Sequence, residues 1–154
     1  MPALMVKEES PLRDEIAALL RQSDAVASRL YPGEFRRAIT PEALAKPGTH
    51  LLVARNGTEA AGCCALFNRG DGTAELKRMI VDGAARGQGV GFALLMGAET
   101  VARSLEAHTV MLEVGIRNIE AQALYRRAGY RPCDPFPPYQ ASPISLFLER
   151  RLLV

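Results

Sequence analysis

One segment decides the fold: Val81-Asp-Gly-Ala-Ala-Arg86-Gly87-Gln88-Gly89-Val90-Gly91. It lies between an apolar run typical of a strand and an amphipathic run typical of a helix. Its alternating glycines remove side chains where a backbone must approach a ligand closely. The helix N-terminus that follows offers unpaired N–H groups and the positive end of the helix dipole, and the arginine adds charge. The segment therefore predicts a strand–turn–helix unit that binds a pyrophosphate.

Two other phosphate-binding patterns do not fit this segment. A dinucleotide-binding turn requires G-x-G-x-x-G, and counting from Gly87 the position of the third glycine holds Phe92. A P-loop requires G-K-[ST] at its end, and no such tripeptide follows. The remaining alternative is a turn whose glycines only allow tight strand–helix packing. Three alternating glycines after an arginine make that alternative the weaker one.

Strand and helix patterns alternate along the chain in a mixed α+β order. Asn56-Gly57 separates two apolar runs and predicts a tight hairpin, and Asp71-Gly72 predicts the next turn. The predicted elements are a strand at 3–7, a helix from Pro11 to Leu30, a short helix from Pro41 capped by Thr40, strands at 51–54, 60–67 and 73–81, a helix at 88–105, a strand at 109–114, a helix at 119–128, and strands at 130–133 and 144–148.

Length, composition and charge favour one soluble globular domain. The 154 residues are 48% hydrophobic and 23% charged, and the formal net charge is +2, so neither nucleic acid nor an anionic membrane is indicated as a partner. The first residues lack a basic segment followed by a long apolar run, and we expect a cytoplasmic protein without a signal peptide. Cys63 and Cys64 should point to opposite faces of a strand, a poor arrangement for a metal or a disulfide. We therefore expect reduced cysteines and no metal.

Two motifs carry a resemblance to a known family. Arg86-x-x-Gly89-x-Gly91 resembles the R/Q-x-x-G-x-G/A signature of the GNAT superfamily of N-acyltransferases. The segment from Asn118 to Tyr130, NIEAQALYRRAGY, is similar to the N-x-x-A-x-x-L-Y-x-x-x-G-[FY] block of the same family. The resemblance is strongest from residue 73 to 131.

The resemblance implies a fold as well as an activity. The chain, 1–154, would be a single N-acetyltransferase domain with a mixed sheet of six or seven strands. Most strands would be antiparallel, about four helices would flank the sheet, and a split would open between the fourth and fifth strands. Acetyl-CoA would enter that split as the acyl donor. The resemblance also leaves room for a homodimer.

The same resemblance implies which residues contact acetyl-CoA. Main-chain groups of Met79, Ile80 and Val81 would meet the pantetheine arm, and a main-chain N–H near Ile80 would meet the oxyanion. Asn118 would form a hydrogen bond near the cofactor. The residues implied to hold the pyrophosphate are Arg86, Gly87, Gln88, Gly89, Val90 and Gly91.

Tyr125 is the candidate general acid. It matches the tyrosine of the L-Y block, and the resemblance implies that it protonates the departing thiolate, since a phenol is close to a thiolate in basicity. A positioned acid of this kind contributes about 10²–10⁴-fold to a rate. The alternative is a tyrosine that only packs at a helix end.

Glu75 is the candidate general base. It precedes Arg86 on the preceding strand at a spacing similar to that of the strand glutamate in some family members, and it would take the amine proton directly or through water. Strand alternation places it on one face with Lys77 and Met79, while Leu76, Arg78 and Ile80 occupy the other face. A solvated carboxylate, or a salt bridge to Lys77 or Arg78, is an equal alternative.

Two segments are predicted to line the acceptor pocket. The loop 134–139 is stiffened by prolines and carries two aromatic residues, and the segment 31–37 follows the first helix. Arg117 is interpreted as a solvated side chain, and the alternatives are that it faces the acceptor site or the phosphates. The function implied by the resemblance is acetyl-CoA-dependent N-acetylation of a primary amine, in a small molecule or an amino acid, by direct attack in a ternary complex. A protein or peptide N-acetyltransferase and a non-catalytic acyl-CoA-binding regulatory domain are the alternatives.

Overall fold

The computed structural model describes residues 4–32 and 40–152, and its elements follow the predicted order. The helices are α1 (Asp14–Leu30), α2 (Pro41–Leu44), α3 (Val90–Ser104) and α4 (Ile119–Arg127). The strands are β1 (Leu4–Glu8), β2 (Thr49–Asn56), β3 (Glu59–Asn68), β4 (Thr73–Val81), β5 (Thr109–Gly115), β6 (Arg131–Pro132) and β7 (Ser145–Arg151). Residues 33–37 of the predicted acceptor wall and Ala3 of the predicted first strand lie outside the described residues.

The strands form one seven-stranded sheet in the order β1-β2-β3-β4-β5-β7-β6. Only the pairing of β4 with β5 is parallel within the described chain, and the other neighbours are antiparallel. The predicted mixed sheet, mostly antiparallel, is confirmed. So is the hairpin at Asn56-Gly57, because Asn56 pairs with Glu59 and Gly57 adopts a φ of +67°.

Helices cover both faces of the sheet and divide the core in two. On one face α1 and α2 pack against the sheet in a cluster that contains Ile16, Leu20, Leu44 and Cys63. On the other face α3 and α4 pack in a larger cluster that contains Cys64. The two cysteines therefore point to opposite faces, as predicted. Among the helices of the described ranges, none has the length and apolar character needed to cross a membrane.

Strands β4 and β5 pair only at their beginnings. Their parallel register runs from Thr73 opposite Thr109 to Leu76 opposite Leu112 and ends there, although β4 continues to Val81 and β5 to Gly115. Each strand keeps its outer neighbour over its remaining length: β4 still pairs with β3, and β5 with β7. The sheet is therefore split between its fourth and fifth strands, as the resemblance implied.

A β-bulge in β4 accompanies this split. Cys63 lies opposite Ile80 and Ala65 lies opposite Lys77, so β4 has one residue more than β3 over this interval. Arg78 lies within the bulge and adopts a φ of +56°, a left-handed conformation that is uncommon for arginine. Such an insertion bends a strand and increases its twist.

The bulge corrects the predicted side-chain alternation of β4. Leu76 and Met79 contact the same core cluster, beside α3, whereas Ile80 belongs to the cluster beneath α1. The expectation that Leu76 and Ile80 share a face, with Met79 on the opposite one, is therefore wrong. The period-two rule assumes a regular strand, and one inserted residue reverses the faces of everything that follows it.

The predicted helix boundaries hold to within two residues except at the start of α1. The helix begins at Asp14 rather than at Pro11, and the residue before it, Arg13, supplies no side-chain cap. Two acidic residues in the first turn, Asp14 and Glu15, interact favourably with the helix dipole instead. The predicted cap of the short helix is present, because Thr40 Oγ1 accepts a hydrogen bond from the N–H of Ala43 at 3.2 Å.

Candidate active site

The split opens a cleft of about 950 Å³ between the ends of β4 and β5. The C-terminal half of α1 lines one side of it, and the first turn of α3 and most of α4 line the other. The predicted site residues that line this cleft are Glu75, Met79, Ile80, Val81, Arg86, Gly87, Gly89, Val90, Gly91, Asn118 and Tyr125. The structure thus brings the candidate catalytic residues and nearly all candidate acetyl-CoA contacts to one cavity.

The glycine-rich turn presents bare backbone at the start of α3. Gly87 and Gly89 both have a φ of +78°, and a Cβ at either position would meet no atom within 4 Å. Neither glycine is therefore required for packing within the protein, although both are required for the left-handed backbone. Gly89 is the residue before the first helical residue, Val90. Open space next to a helix N-terminus suits an anionic group.

Gly91, Val90 and Gln88 have different surroundings from these two glycines. A Cβ on Gly91 would lie 2.7 Å from Cδ2 of Leu124, so this glycine allows α3 and α4 to pack closely. The side chain of Val90 is buried in the core, which leaves its main chain for a ligand. Gln88 is exposed and does not line the cleft. Tight packing, the alternative explanation for the turn, thus accounts for Gly91 but not for Gly87 or Gly89.

The charged and polar groups at this end of the cleft lie in the glycine-rich turn and at the start of α4. The guanidinium of Arg86 lies 3.6 Å from the Glu120 carboxylate, and both side chains are at least half exposed. An exposed pair of this kind contributes little to stability, so Arg86 is available to an anionic ligand. Asn118 caps α4, because its Oδ1 accepts a hydrogen bond from the N–H of Ala121 at 3.2 Å.

Glu75 lies at the inner end of the cleft, where β4 and β5 are still paired. It is only 2% exposed, so the expected alternative of a solvated carboxylate is wrong. Its Oε2 accepts a hydrogen bond from the hydroxyl of Tyr139 at 2.5 Å. Its Oε1 lies 3.7 Å from Nζ of Lys77 and 3.8 Å from the guanidinium of Arg69. The carboxylate is therefore held by partners on both oxygens.

Tyr125 projects from α4 into the same cleft and is 6% exposed. Its ring packs against Tyr130 with centroids 5.8 Å apart. Burial, followed by the nearby Cys64 thiol, raises the pKa of Tyr125 above its ordinary value. The phenol is therefore protonated at neutral pH, as a proton donor must be.

The outer wall of the cleft is fixed by a contact between α1 and the end of β5. The hydroxyl of Tyr31, the residue after α1, accepts a hydrogen bond from the N–H of Arg117 at 2.8 Å. The Arg117 guanidinium lies over the Tyr31 ring and donates to the carbonyl of Leu30. Arg117 is exposed, as the sequence interpretation had it, and its guanidinium also packs on an aromatic ring.

Two contacts at this site escaped sequence reasoning. The Tyr139–Glu75 hydrogen bond joins residues far apart in sequence, and only the aromatic tip of the proline-rich loop signalled it. Gln22 of α1 forms the other contact. Its amide donates to Asp82 at 2.7 Å and accepts from the N–H of Gly83 at 3.3 Å, which anchors the chain that leads into the glycine-rich turn. A glutamine on a helix gives no sequence signal of such a role.

The two buried cysteines are not suited to nucleophilic chemistry. Burial raises the pKa of Cys63 to about 12 and raises the pKa of Cys64 as well. The thiolate is the reactive form, and these environments disfavour it at neutral pH.

Comparison with known proteins gives a consistent picture. Residues 14–130 match the sequence profile of the Acetyltransferase (GNAT) family. A curated relative, IAA acetyltransferase of Azospirillum brasilense, is 37% identical over 153 residues, which cover 99% of this chain and 100% of the relative.

Solved structures share the architecture. One from Klebsiella pneumoniae, provisionally named an acyl-CoA N-acyltransferase, is 34% identical and has a TM-score of 0.82 over 97% of this chain and 98% of that chain. A GNAT family acetyltransferase from Elizabethkingia anophelis, solved with acetyl-CoA bound, is 18% identical and has a TM-score of 0.70 over 97% and 98% of the two chains. The second likeness shows a common fold.

Burial of three tyrosines predicts how the folded protein titrates. The pKa values of Tyr125, Tyr130 and Tyr139 are all raised, with burial as the first cause. At about pH 11, one unit above the ordinary tyrosine pKa of about 10, the folded chain should show less tyrosinate absorbance near 295 nm than the urea-unfolded chain. The unfolded state then binds fewer protons than the folded state, so stability should fall as pH rises above about 10.

Circular dichroism at the same pH provides the control that the native sample is still folded. Equal tyrosinate absorbance in the folded and unfolded samples would show that these phenols are not buried as described.

Proposed function

The chain belongs to the GNAT family of acetyltransferases, and from this premise we propose that it transfers an acetyl group from acetyl-CoA to a primary amine of a small molecule or an amino acid. The observation that carries the proposal is the cleft between β4 and β5. One cavity is lined by the exposed main chain at the N-terminus of α3, by the buried carboxylate of Glu75 and by the protonated phenol of Tyr125. The whole chain, 1–154, acts as one catalytic domain.

The residues of the glycine-rich turn fit the pyrophosphate of acetyl-CoA. The open space at Gly87 and Gly89, the N-terminus of α3 and the exposed guanidinium of Arg86 supply room, dipole and charge. The exposed Glu120 beside Arg86 opposes an anion, so Arg86 must exchange this partner for the phosphates. The Elizabethkingia anophelis structure with acetyl-CoA bound, which shares the fold, supports the assignment.

The free inner edge of β4 suits the pantetheine arm. Beyond Leu76 this edge has lost β5 as its neighbour, so main-chain groups of Met79 to Val81 face the cleft without a strand partner there. Buried or ligand-facing backbone groups require a hydrogen-bond partner, and the amides of a pantetheine arm provide one. The bulge at Arg78 further disrupts the ladder, and it supports an oxyanion contact from a main-chain N–H near Ile80.

Acetyl-CoA supplies an activated acetyl thioester, and the protein supplies position and proton transfer. Both substrates lie in one cleft, so the amine attacks the thioester directly in a ternary complex. Tyr125 donates a proton to the departing thiolate, and Glu75 accepts the proton that the amine loses. Asn118 caps the N-terminus of α4, and Tyr125 projects from the same helix near its C-terminal end.

The aromatic side chains of Tyr31 and Tyr139 favour a small acceptor. They come from two separate segments and line the cleft beside β4. The test is release of free thiol from acetyl-CoA across a panel of amines, amino acids and peptides. IAA, named in the Azospirillum brasilense relative, belongs in the panel. Turnover with peptides alone would identify a protein or peptide N-acetyltransferase. Binding of acetyl-CoA without turnover of any acceptor would identify a non-catalytic regulatory domain.

One prediction of the proposed function concerns the acetyl-CoA site. Gly89→Glu should abolish acetyl-CoA binding in calorimetry, because a side chain and a negative charge would occupy the place of the pyrophosphate. Gly57→Glu is the matched control, since Gly57 also has a positive φ, +67°, and open space around it, but lies at the tip of the β2–β3 hairpin. Unchanged affinity in a folded Gly89→Glu variant would refute the placement.

Another prediction of the proposed function concerns the general acid. Tyr125→Phe keeps the buried ring and removes only the transferable proton, so kcat should fall by about 10²–10⁴-fold. The dissociation constant of acetyl-CoA should stay close to that of the unsubstituted protein. If kcat changed by less than about twofold, far below the usual contribution of a general acid, another group would protonate the thiolate.

A further inference from the structure

The buried position of Glu75 limits how it can act as a base. Its side chain is 3% exposed, Oε2 accepts the Tyr139 hydrogen bond, and Oε1 faces Lys77 and Arg69. A carboxylate enclosed in this way presents little surface to an incoming amine. The proton that it accepts must therefore arrive through one of its present partners.

Tyr139 is the partner that also faces the cleft. It is only partly buried, it lines the cavity, and its hydroxyl lies 2.5 Å from the carboxylate. Its ring packs edge-on against Phe136 with centroids 5.2 Å apart, and against Phe147 with centroids 5.9 Å apart. This packing fixes the direction of the phenol, so its oxygen is held between the open cleft and Glu75.

The other charges around the pair come from three elements. Arg69, at the start of the β3–β4 connection, and Lys77 of β4 face the Glu75 carboxylate. Arg69 is held over the Phe136 ring at 5.2 Å. Glu113 of β5 also lines the cleft, and its negative charge contributes to the raised pKa of Tyr139. Two cations therefore flank the carboxylate, and a second carboxylate lies near the phenol.

On the basis of the function proposed above, we propose that Tyr139 is a further catalytic residue that meets the acceptor amine and relays its proton to Glu75. As the neutral amine nitrogen bonds to the acetyl carbonyl carbon, one of its N–H bonds breaks and that proton moves to Oη of Tyr139. In the same step the Oη–H bond of Tyr139 breaks, and its proton moves to Oε2 of Glu75.

The remaining protons balance through the solvent. When the carbon–sulfur bond breaks, its electron pair stays on sulfur and the thiolate takes the proton of Tyr125. Glu75 then loses its proton to water through Tyr139, and Tyr125 regains one from water. The net result is one amide and one free thiol. Burial and the adjacent Glu75 raise the pKa of Tyr139, so this phenol passes a proton on and does not persist as a phenolate.

The test measures kcat/KM for the amine against pH in the unsubstituted protein, in Tyr139→Phe, in Glu75→Gln and in the double variant. Each single substitution should lower kcat/KM near neutral pH by about a hundredfold and leave acetyl-CoA affinity unchanged. The double variant should lose little more than either single variant, because both remove the same relay. All three variants should recover part of the rate as pH rises and free amine accumulates.

Rates in mixtures of H₂O and D₂O separate a relay from a purely positioning role. A relay moves two protons in one step, so the plot of rate against deuterium fraction should be curved for the unsubstituted protein and linear for Tyr139→Phe. This measurement on the unsubstituted protein does not depend on how any variant folds. Tyr130→Phe is the matched control, since it removes a buried hydroxyl of a residue that does not line the cleft and keeps the ring that packs against Tyr125, and its kcat/KM should be unchanged.

Three results would overturn the relay: unchanged kcat/KM in Tyr139→Phe, additive losses in the double variant, or a linear plot for the unsubstituted protein. In each case Glu75 or water would take the proton directly from the amine, and the proposed acetyl transfer would still stand. Failure of the proposed function looks different, because the unsubstituted protein would then release no thiol with any amine in the panel. That outcome would remove the relay together with the function.

Discussion

The structure depends on the point at which β4 and β5 stop pairing. Up to Leu76 and Leu112 the sheet is continuous, and beyond them each strand keeps only its outer neighbour. Backbone groups on the two inner edges then require other partners, because unpaired groups away from water are costly. A bulge at Arg78 bends β4 at this point. A cleft in the middle of a sheet is the consequence, and it supplies main-chain contacts that a continuous sheet would have used internally.

The surrounding elements keep this cleft open and give its two ends different chemistry. At the outer end the α3 N-terminus, Gly87 and Gly89 leave room for an anionic group. At the inner end Glu75 and Tyr139 form a hydrogen-bonded pair below the aromatic loop. The contact of Tyr31 with Arg117 ties α1 to β5 across the opening. A long ligand that is anionic at one end and reactive at the other matches this order of chemistry along the cleft.

Most of the fold could be predicted from sequence because its determinants are local. The Asn56-Gly57 turn, the Thr40 cap and the glycine-rich turn each depend on a few adjacent residues, and each is present in the structure. The bulge could not be predicted in this way, since arginine gives no signal of a left-handed backbone. It was this single residue that made the predicted faces of β4 wrong after Lys77.

The site was predicted less completely than the fold, for a related reason. Motifs indicated Glu75 and Tyr125, and strand alternation placed Lys77 beside Glu75. The other partners of Glu75, Arg69 and Tyr139, come from segments that only the tertiary structure brings together. Burial likewise depends on packing across the whole sheet, and strand alternation alone could not show that Glu75 is enclosed. Spacing within a motif therefore identified candidate groups, whereas their protonation and accessibility followed from the fold.

The central claim is that the split between β4 and β5 holds the acyl donor through main-chain groups of β4 and of the glycine-rich turn. Amide hydrogen exchange with and without acetyl-CoA tests it most directly. Acetyl-CoA should slow exchange in peptides that cover residues 77–81 and 86–91, and it should leave the hairpin tip at residues 56–59 unchanged. Binding of acetyl-CoA with no added protection at 77–81 or 86–91 would contradict the account.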